Sequence, residues 1–199
     1  MIIVGFGENG YRCNGGTFHT NLILTHWGPE IEKILKNRDA LEFAKKLCVP
    51  SVYYGKTLTR ANGWNSDGSA TDPIVNIAGI AHITGGGIWG KFREILPEGV
   101  GAILDTMPKP PEVLLEAQEI SWNYPSLKLT DLKAHGTFHG GCGMIAVCAS
   151  KKDAGILIEE AAKDKIQAER IGKTTESSER EVIIHSQFKE SRIISSNEL

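Results

Sequence analysis

Apolar runs and polar gaps divide this chain into short segments with no repeating unit. Ile2 to Phe6 is an apolar run of strand length, and Gly7 to Gly16 reads as a loop holding four glycines, Gly7, Gly10, Gly15 and Gly16. Helical patterns follow over about 17–27, 29–36 and 38–47, the last with Leu41, Ala44 and Leu47 three apart on one face. Pro50 interrupts the pattern, a short helix is predicted over Ser51 to Arg60, and residues 62–73 form a turn-rich loop.

The second half is more sharply patterned. Ile74 to Ile83 predicts a buried strand, Thr84 to Gly87 a glycine loop, and Ile88 to Leu96 a helix whose Ile88, Phe92, Ile95 and Leu96 make one stripe. Val100 to Leu104 predicts a strand, and Pro111 to Trp122 a helix that opens on proline, where the missing N–H costs nothing. Thr130 is placed to cap a further helix. Met144 to Ala149 predicts a strand, Lys152 to Lys165 an amphipathic helix, and Glu169 to Gly172 with Glu181 to His185 the last strands. Mixed strands and helices without a repeat predict an α+β fold, a layered mixed β-sheet packed with helices. The domain is expected over residues 1–188, with the polar segment 189–199 as a flexible tail.

Composition narrows the classes. The 199 residues are 41% hydrophobic and 23% charged, with a formal net charge of −2, which is ordinary globular composition. A nucleic-acid binder normally shows a clear basic excess, so no nucleic-acid partner is expected. No apolar run approaches the length of a membrane span, and the short apolar N-terminus lacks a signal-peptide pattern. The four cysteines, Cys13, Cys48, Cys142 and Cys148, show no C-x-x-C spacing. Cys142 and Cys148, in or beside one strand-like run, would stand about 20 Å apart at about 3.3 Å per residue, beyond disulfide reach. All four are expected as reduced thiols, and the location as cytoplasmic. Glycine is in excess: 22 residues, about 11% against a usual level of about 7%.

Three glycine-rich motifs invite specific chemistry. Gly5-Phe6-Gly7-Glu8-Asn9-Gly10 fits the G-x-G-x-x-G fingerprint, but the six residues to Gly16 delay the helix whose N-terminus should meet a pyrophosphate. Gly85 to Lys91 nearly spells a phosphate-binding P-loop, yet Phe92 stands where Ser or Thr must hold magnesium. His135, His139 and Cys142 have metal-ligand spacing, but intervening glycines break any helix that would align them and no fourth ligand is evident. No metal site is expected there, and histidines facing a cleft are preferred.

The run Ile80-Ala81-His82-Ile83-Thr84-Gly85-Gly86-Gly87-Ile88, with Leu96-Pro97-Glu98-Gly99-Val100-Gly101-Ala102 after it, closely resembles aminoimidazole ribonucleotide synthetase, or phosphoribosylformylglycinamidine cyclo-ligase, in its C-terminal domain. Gly10-Tyr11-Arg12-Cys13-Asn14-Gly15 sits where that family has Gly-Leu-His-Ser-Asn-Gly, and Phe138 to Met144 where it has Phe-Asn-Met-Gly-Ile-Gly-Met. Arg170-Ile171-Gly172 resembles the opening of its closing strand, so the likeness spans about residues 2–185.

The resemblance implies an ATP- and magnesium-dependent ring closure in purine synthesis. ATP phosphorylates the formyl amide oxygen of formylglycinamidine ribonucleotide, the amidine nitrogen attacks that carbon, and phosphate leaves as the imidazole forms. It implies substrate or phosphate contacts at Arg12, Asn14, Gly15, Thr84, Gly85, Gly86, Gly87 and His139. His82 becomes a candidate catalytic residue supplying a proton or hydrogen bond, the alternative being a neutral histidine that orients the loop.

Departures from the family pattern accompany the likeness. Its histidine is Arg12 here, its asparagine is His139, and its Glu-Pro-Thr is Val49-Pro50-Ser51, which removes a carboxylate. The family's N-terminal domain, with its nucleotide motif and dimerising strands, has no counterpart in these residues. The expected partners are therefore a phosphorylated ribose compound, a separately encoded N-terminal half carrying most of the ATP site, and a second copy in the complete enzyme. Two rival readings stand beside this one: a non-catalytic anion-binding or regulatory relative, and a sister ATP-dependent enzyme of the same superfamily.

Overall fold

The computed structural model describes residues 1–12 and 14–198. The elements run β1 (Ile2–Gly7), α1 (Gly16–Trp27), α2 (Ile31–Lys36), α3 (Arg38–Leu47), α4 (Gly55–Ala61), β2 (Ile77–His82), α5 (Gly87–Ile95) and β3 (Val100–Leu104). They continue with α6 (Glu112–Ser121), α7 (Asp131–Thr137), β4 (Cys142–Cys148), α8 (Lys151–Lys163), β5 (Ala168–Glu176), β6 (Val182–His185) and β7 (Ile193–Ser195). The strands form one sheet in the order β2-β4-β1-β5-β3-β6-β7. All neighbours are antiparallel except β3 and β6. This is the mixed, layered α+β architecture that the alternation of patterns predicts.

Both faces of the sheet are covered, which is why β4 is buried at every position. Met144, Ala146 and Cys148 face one way, with Val4 and Phe6 of β1, and pack on Ala154, Leu157 and Ala161 of α8. Those α8 residues recur at three- and four-residue spacing, and Ser150 caps the helix by accepting from Asp153 N–H at 3.1 Å. Ile145 and Val147 face the other way with Ile3 and meet Ile88, Trp89 and Phe92 of α5. A third cluster joins α1, α3, α6 and α7 through Leu22, Phe43, Leu114, Ala134 and Phe138. Thr130 caps α7 as expected, its Oγ1 accepting from Lys133 N–H at 3.3 Å.

Boundaries differ from the sequence reading where backbone pairing decides them. Ser51 to Tyr54 is not helical, and α4 begins at Gly55. Strand β5 runs on to Glu176 through polar Lys173, Thr174 and Thr175, because β1 and β3 both pair with it. The segment after residue 188, expected as a flexible tail, instead supplies β7. Ile194 pairs with Ile184 and is 1% exposed, and Ser196 Oγ accepts from Val182 N–H at 3.0 Å.

The antiparallel pairing gives the sheet one functionally interesting end. β4 runs opposite to both β1 and β2, with Phe6 and His82 each aligned to Met144. The loops after β1 and β2 and the loop before β4 therefore converge there.

Candidate functional site

The β1–α1 loop is organised by Glu8. Its backbone N–H donates to Gly141 O at 3.1 Å, which ties the loop to the start of β4. Its side chain is wholly shielded from solvent, and four donors converge on the carboxylate. Asn9 N–H and Val52 N–H reach Oε1 at 3.0 and 3.1 Å, while Arg12 Nη1 and Tyr54 Oη reach Oε2 at 2.6 and 3.1 Å. Tyr54 Oη has one proton and also lies 2.8 Å from Gly7 O. Burial and the neighbouring Glu8 charge push the Tyr54 phenol well above its ordinary range, so it remains protonated.

Arg12 is held in an unusual position. Its backbone is left-handed, with φ of 61°, a conformation uncommon outside glycine. Its side chain is only 6% exposed and its guanidinium lies 5.7 Å from the Tyr54 ring centre. Nη1 binds Glu8, Nη2 meets His82 Nε2, and Nε is buried without a partner. His82 itself is exposed at the end of β2, and burial of the ring's inner side together with Arg12 lowers its pKa.

Close approach of the backbone makes two glycines mandatory. A β-carbon on Gly143 would collide with Tyr54 Oη and lie 2.5 Å from Arg12 Nη1 and 2.8 Å from Glu8 Oε2. One on Gly87, at φ of 60°, would collide with the His135 carbonyl and lie 2.9 Å from Gly136 C. The glycine loops thus interlock before they offer anything to a ligand.

The expected site residues separate into three groups. Arg12 and His82 meet directly. Thr84 to Gly87 form the entry to α5, where Thr84 is half-buried, its carbonyl accepts from Gly87 N–H at 2.9 Å, and Gly85 and Gly86 are exposed. Asn14 is buried and Gly15 packs beside Phe138 and Thr137 at the end of α7. An open recess of about 370 Å³, lined by Phe18, Leu132, Lys133, Gly136 and Thr137 among others, adjoins that end. Cys13 lies outside the described residues.

His135 and His139 do not face a cleft, contrary to the sequence reading. His139 is fully buried: its Nε2–H donates to Gly10 O at 2.7 Å and its Nδ1 accepts from Gly141 N–H at 3.1 Å. Burial holds its pKa down to about 4. It bridges two loops as a neutral ring and presents no nitrogen to a ligand. His135 is equally buried, 3.1 Å from Ser186 Oγ, with its pKa also lowered to about 4 by burial.

The three motif readings from sequence meet the same geometry. Among the described residues no group of three or more His, Cys, Asp or Glu is placed to hold a metal. Phe92, at the position a P-loop needs for Ser or Thr, is in the core at 0% exposure. β1 has antiparallel neighbours on both sides, so the first glycine motif opens no Rossmann unit. Cys48, Cys142 and Cys148 are free thiols, and no helix among the described residues is long and apolar enough to cross a membrane.

Glu8 and Tyr54 are the residues that sequence reasoning missed. An acid four residues before Arg12 in a glycine loop was the available signal, but two of its other donors, Val52 N–H and Tyr54 Oη, lie over 40 residues away. Glu8, in the loop after β1, accepts from Val52 N–H three residues beyond Val49.

Residues 69–185 match the family model described as AIR synthase related protein, C-terminal domain. This chain belongs to that family. Similar curated proteins extend the match toward the N-terminus. A phosphoribosylformylglycinamidine cyclo-ligase of Oceanobacillus iheyensis is 26% identical over 187 residues, 88% of this chain and 46% of that protein. The chloroplastic/mitochondrial phosphoribosylformylglycinamidine cyclo-ligase of Vigna unguiculata is 30% identical over 172 residues, 86% of this chain and 39% of that protein. The chain spans less than half the length of these AIR synthase relatives. Among solved structures, T. maritima PurL complexed with FGAR aligns with 98% of this chain and 26% of its own, at 16% identity and a TM-score of 0.44.

Proposed function

We propose that this chain is the substrate- and phosphate-binding half of a phosphoribosylformylglycinamidine cyclo-ligase, acting in the ATP-dependent closure of formylglycinamidine ribonucleotide to aminoimidazole ribonucleotide. The observation that carries the reading is the position of the Ala81–Gly87 run. It ends β2 and opens α5 where the three glycine loops converge.

Each exposed part of that run has a role in the reading. Gly85 and Gly86 lead into the nine-residue helix α5, whose N-terminal amides and dipole favour a phosphate. Without β-carbons they allow close approach of the ligand. Thr84 offers a hydroxyl and His82 an exposed ring at the same edge. Asn14 and Gly15, the latter beside Thr137 and Phe138 at the end of α7, are assigned to the same substrate contact in this reading.

ATP supplies the phosphoryl group in this reaction, and the residues for binding it are assigned to a separate half of the complete enzyme, with which this chain would pair. Magnesium, like ATP, is assigned in this reading to the site shared with that half, and no step is routed through it here. A second copy of the assembled enzyme and a cytoplasmic setting complete the proposal.

Mixing this chain with the ATP-binding half of a family member, the substrate and ATP-magnesium should yield ADP and the imidazole product. No turnover from a well-folded pair overturns the reading. A second reading, a non-catalytic anion-binding relative, is favoured by one observation: the side chains of Arg12 and His139 are engaged internally. Calorimetric binding of ribose 5-phosphate with no turnover in any pairing selects that alternative.

A further inference from the structure

Arginine has only donors, so where Arg12 Nη2 meets His82 Nε2 the ring nitrogen must accept. Nε2 then carries no proton, and a neutral ring carries it on Nδ1. Free histidine has no such constraint, so the tautomer here is set by the partner. We propose that Glu8 and Arg12 are positioning residues that fix His82 as the neutral Nδ1–H tautomer, making its exposed edge a hydrogen-bond donor to a ligand oxyanion and not a general base.

The construction around Arg12 supports this role. Glu8 is fully shielded and receives four donors, so it cannot swing away without leaving several of them unpaired. Arg12 is nearly as shielded, its backbone is left-handed, and Gly143 leaves no room for a β-carbon beside it. Its side chain is shielded and its Nη groups meet Glu8 and His82, so the phosphate contact expected of Arg12 from sequence is not on offer in this arrangement. The arginine acts through the histidine.

The charged groups bearing on His82 are Arg12 and Glu8, both from the loop after β1. Its partner across the ladder, Met144 of β4, has no charge. A proton on Nε2 would place a second cation against Arg12 and remove the acceptor. Glu8 offsets this only in part, and the ring titrates below its ordinary value.

The inference rests on the proposed function for its ligand, but its test needs no turnover. In the full chain with ¹⁵N-labelled histidine, at pH 7.5, His82 should show a protonated Nδ1 and a pyridine-like Nε2, the resonances being assigned by their loss in His82→Asn. Arg12→Met should shift the proton to Nε2 and raise the titration midpoint toward about 6.5. Adding inorganic phosphate should move the Nδ1 signal. A wild-type ring protonated on Nε2 overturns the proposal even if the variant fails to fold, and an unchanged spectrum in a folded variant overturns the part assigned to Arg12. A phosphate titration that leaves Nδ1 unmoved overturns the donor role. The expected tautomer with no turnover in the reconstituted enzyme would sink the cyclo-ligase reading and leave this one standing.

Discussion

The carboxylate of Glu8 and the guanidinium of Arg12 meet at 2.6 Å with almost no solvent access to either side chain. Buried pairs of this kind add little net stability over an apolar pair, because desolvation offsets the attraction. Breaking one by removing a single partner is a different matter, since the other charge is left without compensation.

Glu8→Ala should therefore destabilise the fold by about 3–5 kcal/mol, the range for losing one member of a buried pair. Arg12 would lose its anchor, and Asn9 and Val52 their acceptor. The double variant Glu8→Ala with Arg12→Met should cost markedly less than the sum of the two single changes. Urea unfolding of the four proteins forms the cycle, and strict additivity would contradict a coupled pair.

Gly87→Ala should lower stability by about 1–3 kcal/mol, because a β-carbon there meets backbone atoms of His135 and Gly136, which cannot move aside as a side-chain tip can. Gly85→Ala, with open space around it, should be nearly neutral in stability. Thermal unfolding of the two variants compares the sites directly, and equal losses would refute the interlocking of this loop with α7.

Stability should fall on mild acidification. His135 and His139 have folded pKa values near 4, against an ordinary value of 6.5. The unfolded chain thus binds protons first, and their contribution is fully present above about pH 6.5 and lost as the pH drops toward 4. At 1.36 kcal/mol per unit the loss is on the order of 3 kcal/mol for each ring. Unfolding midpoints between pH 7.5 and 4.5 measure it, and His139→Gln should flatten the profile.

Removing residues 189–199 should destabilise the domain by several kcal/mol. Buried Asp131 accepts from Glu190 N–H at 3.2 Å and Ser191 N–H at 3.1 Å, and Glu190 Oε2 accepts in return from Asp131 N–H at 2.7 Å. Truncation strands Asp131 with Gln118 as its remaining side-chain partner and strips β7 from the sheet edge. A truncated chain that unfolds at the same urea concentration as the full one would show that this segment contributes nothing.

Periodicity and caps made most of the fold legible. The stripe Ile88-Phe92 announces α5, the amphipathic pattern from Lys152 to Lys165 announces α8, and Thr130 marks the start of α7. The polar half of β5 was not legible, because a strand held by ladders on both flanks does not require apolar residues, and β7, three residues long, is too short to show a period. His82 and the Thr84–Gly87 loop were legible as a motif. The burial of His139 was not, since a histidine beside glycines reads the same whether it lines a cleft or bridges two backbones.

The sequence by itself determined the element order, the family and the glycine loop between β2 and α5, because each is written in local spacing or in one contiguous run. Only the tertiary structure decided which charged groups meet. Glu8 reaches Val52 and Tyr54, and Arg12 reaches His82, seventy residues along the chain. Those contacts exist because β1 and β2 both pair antiparallel to β4 and so end at the same edge of the sheet. Strand pairing is long-range, and no local pattern encodes the partner it will bring.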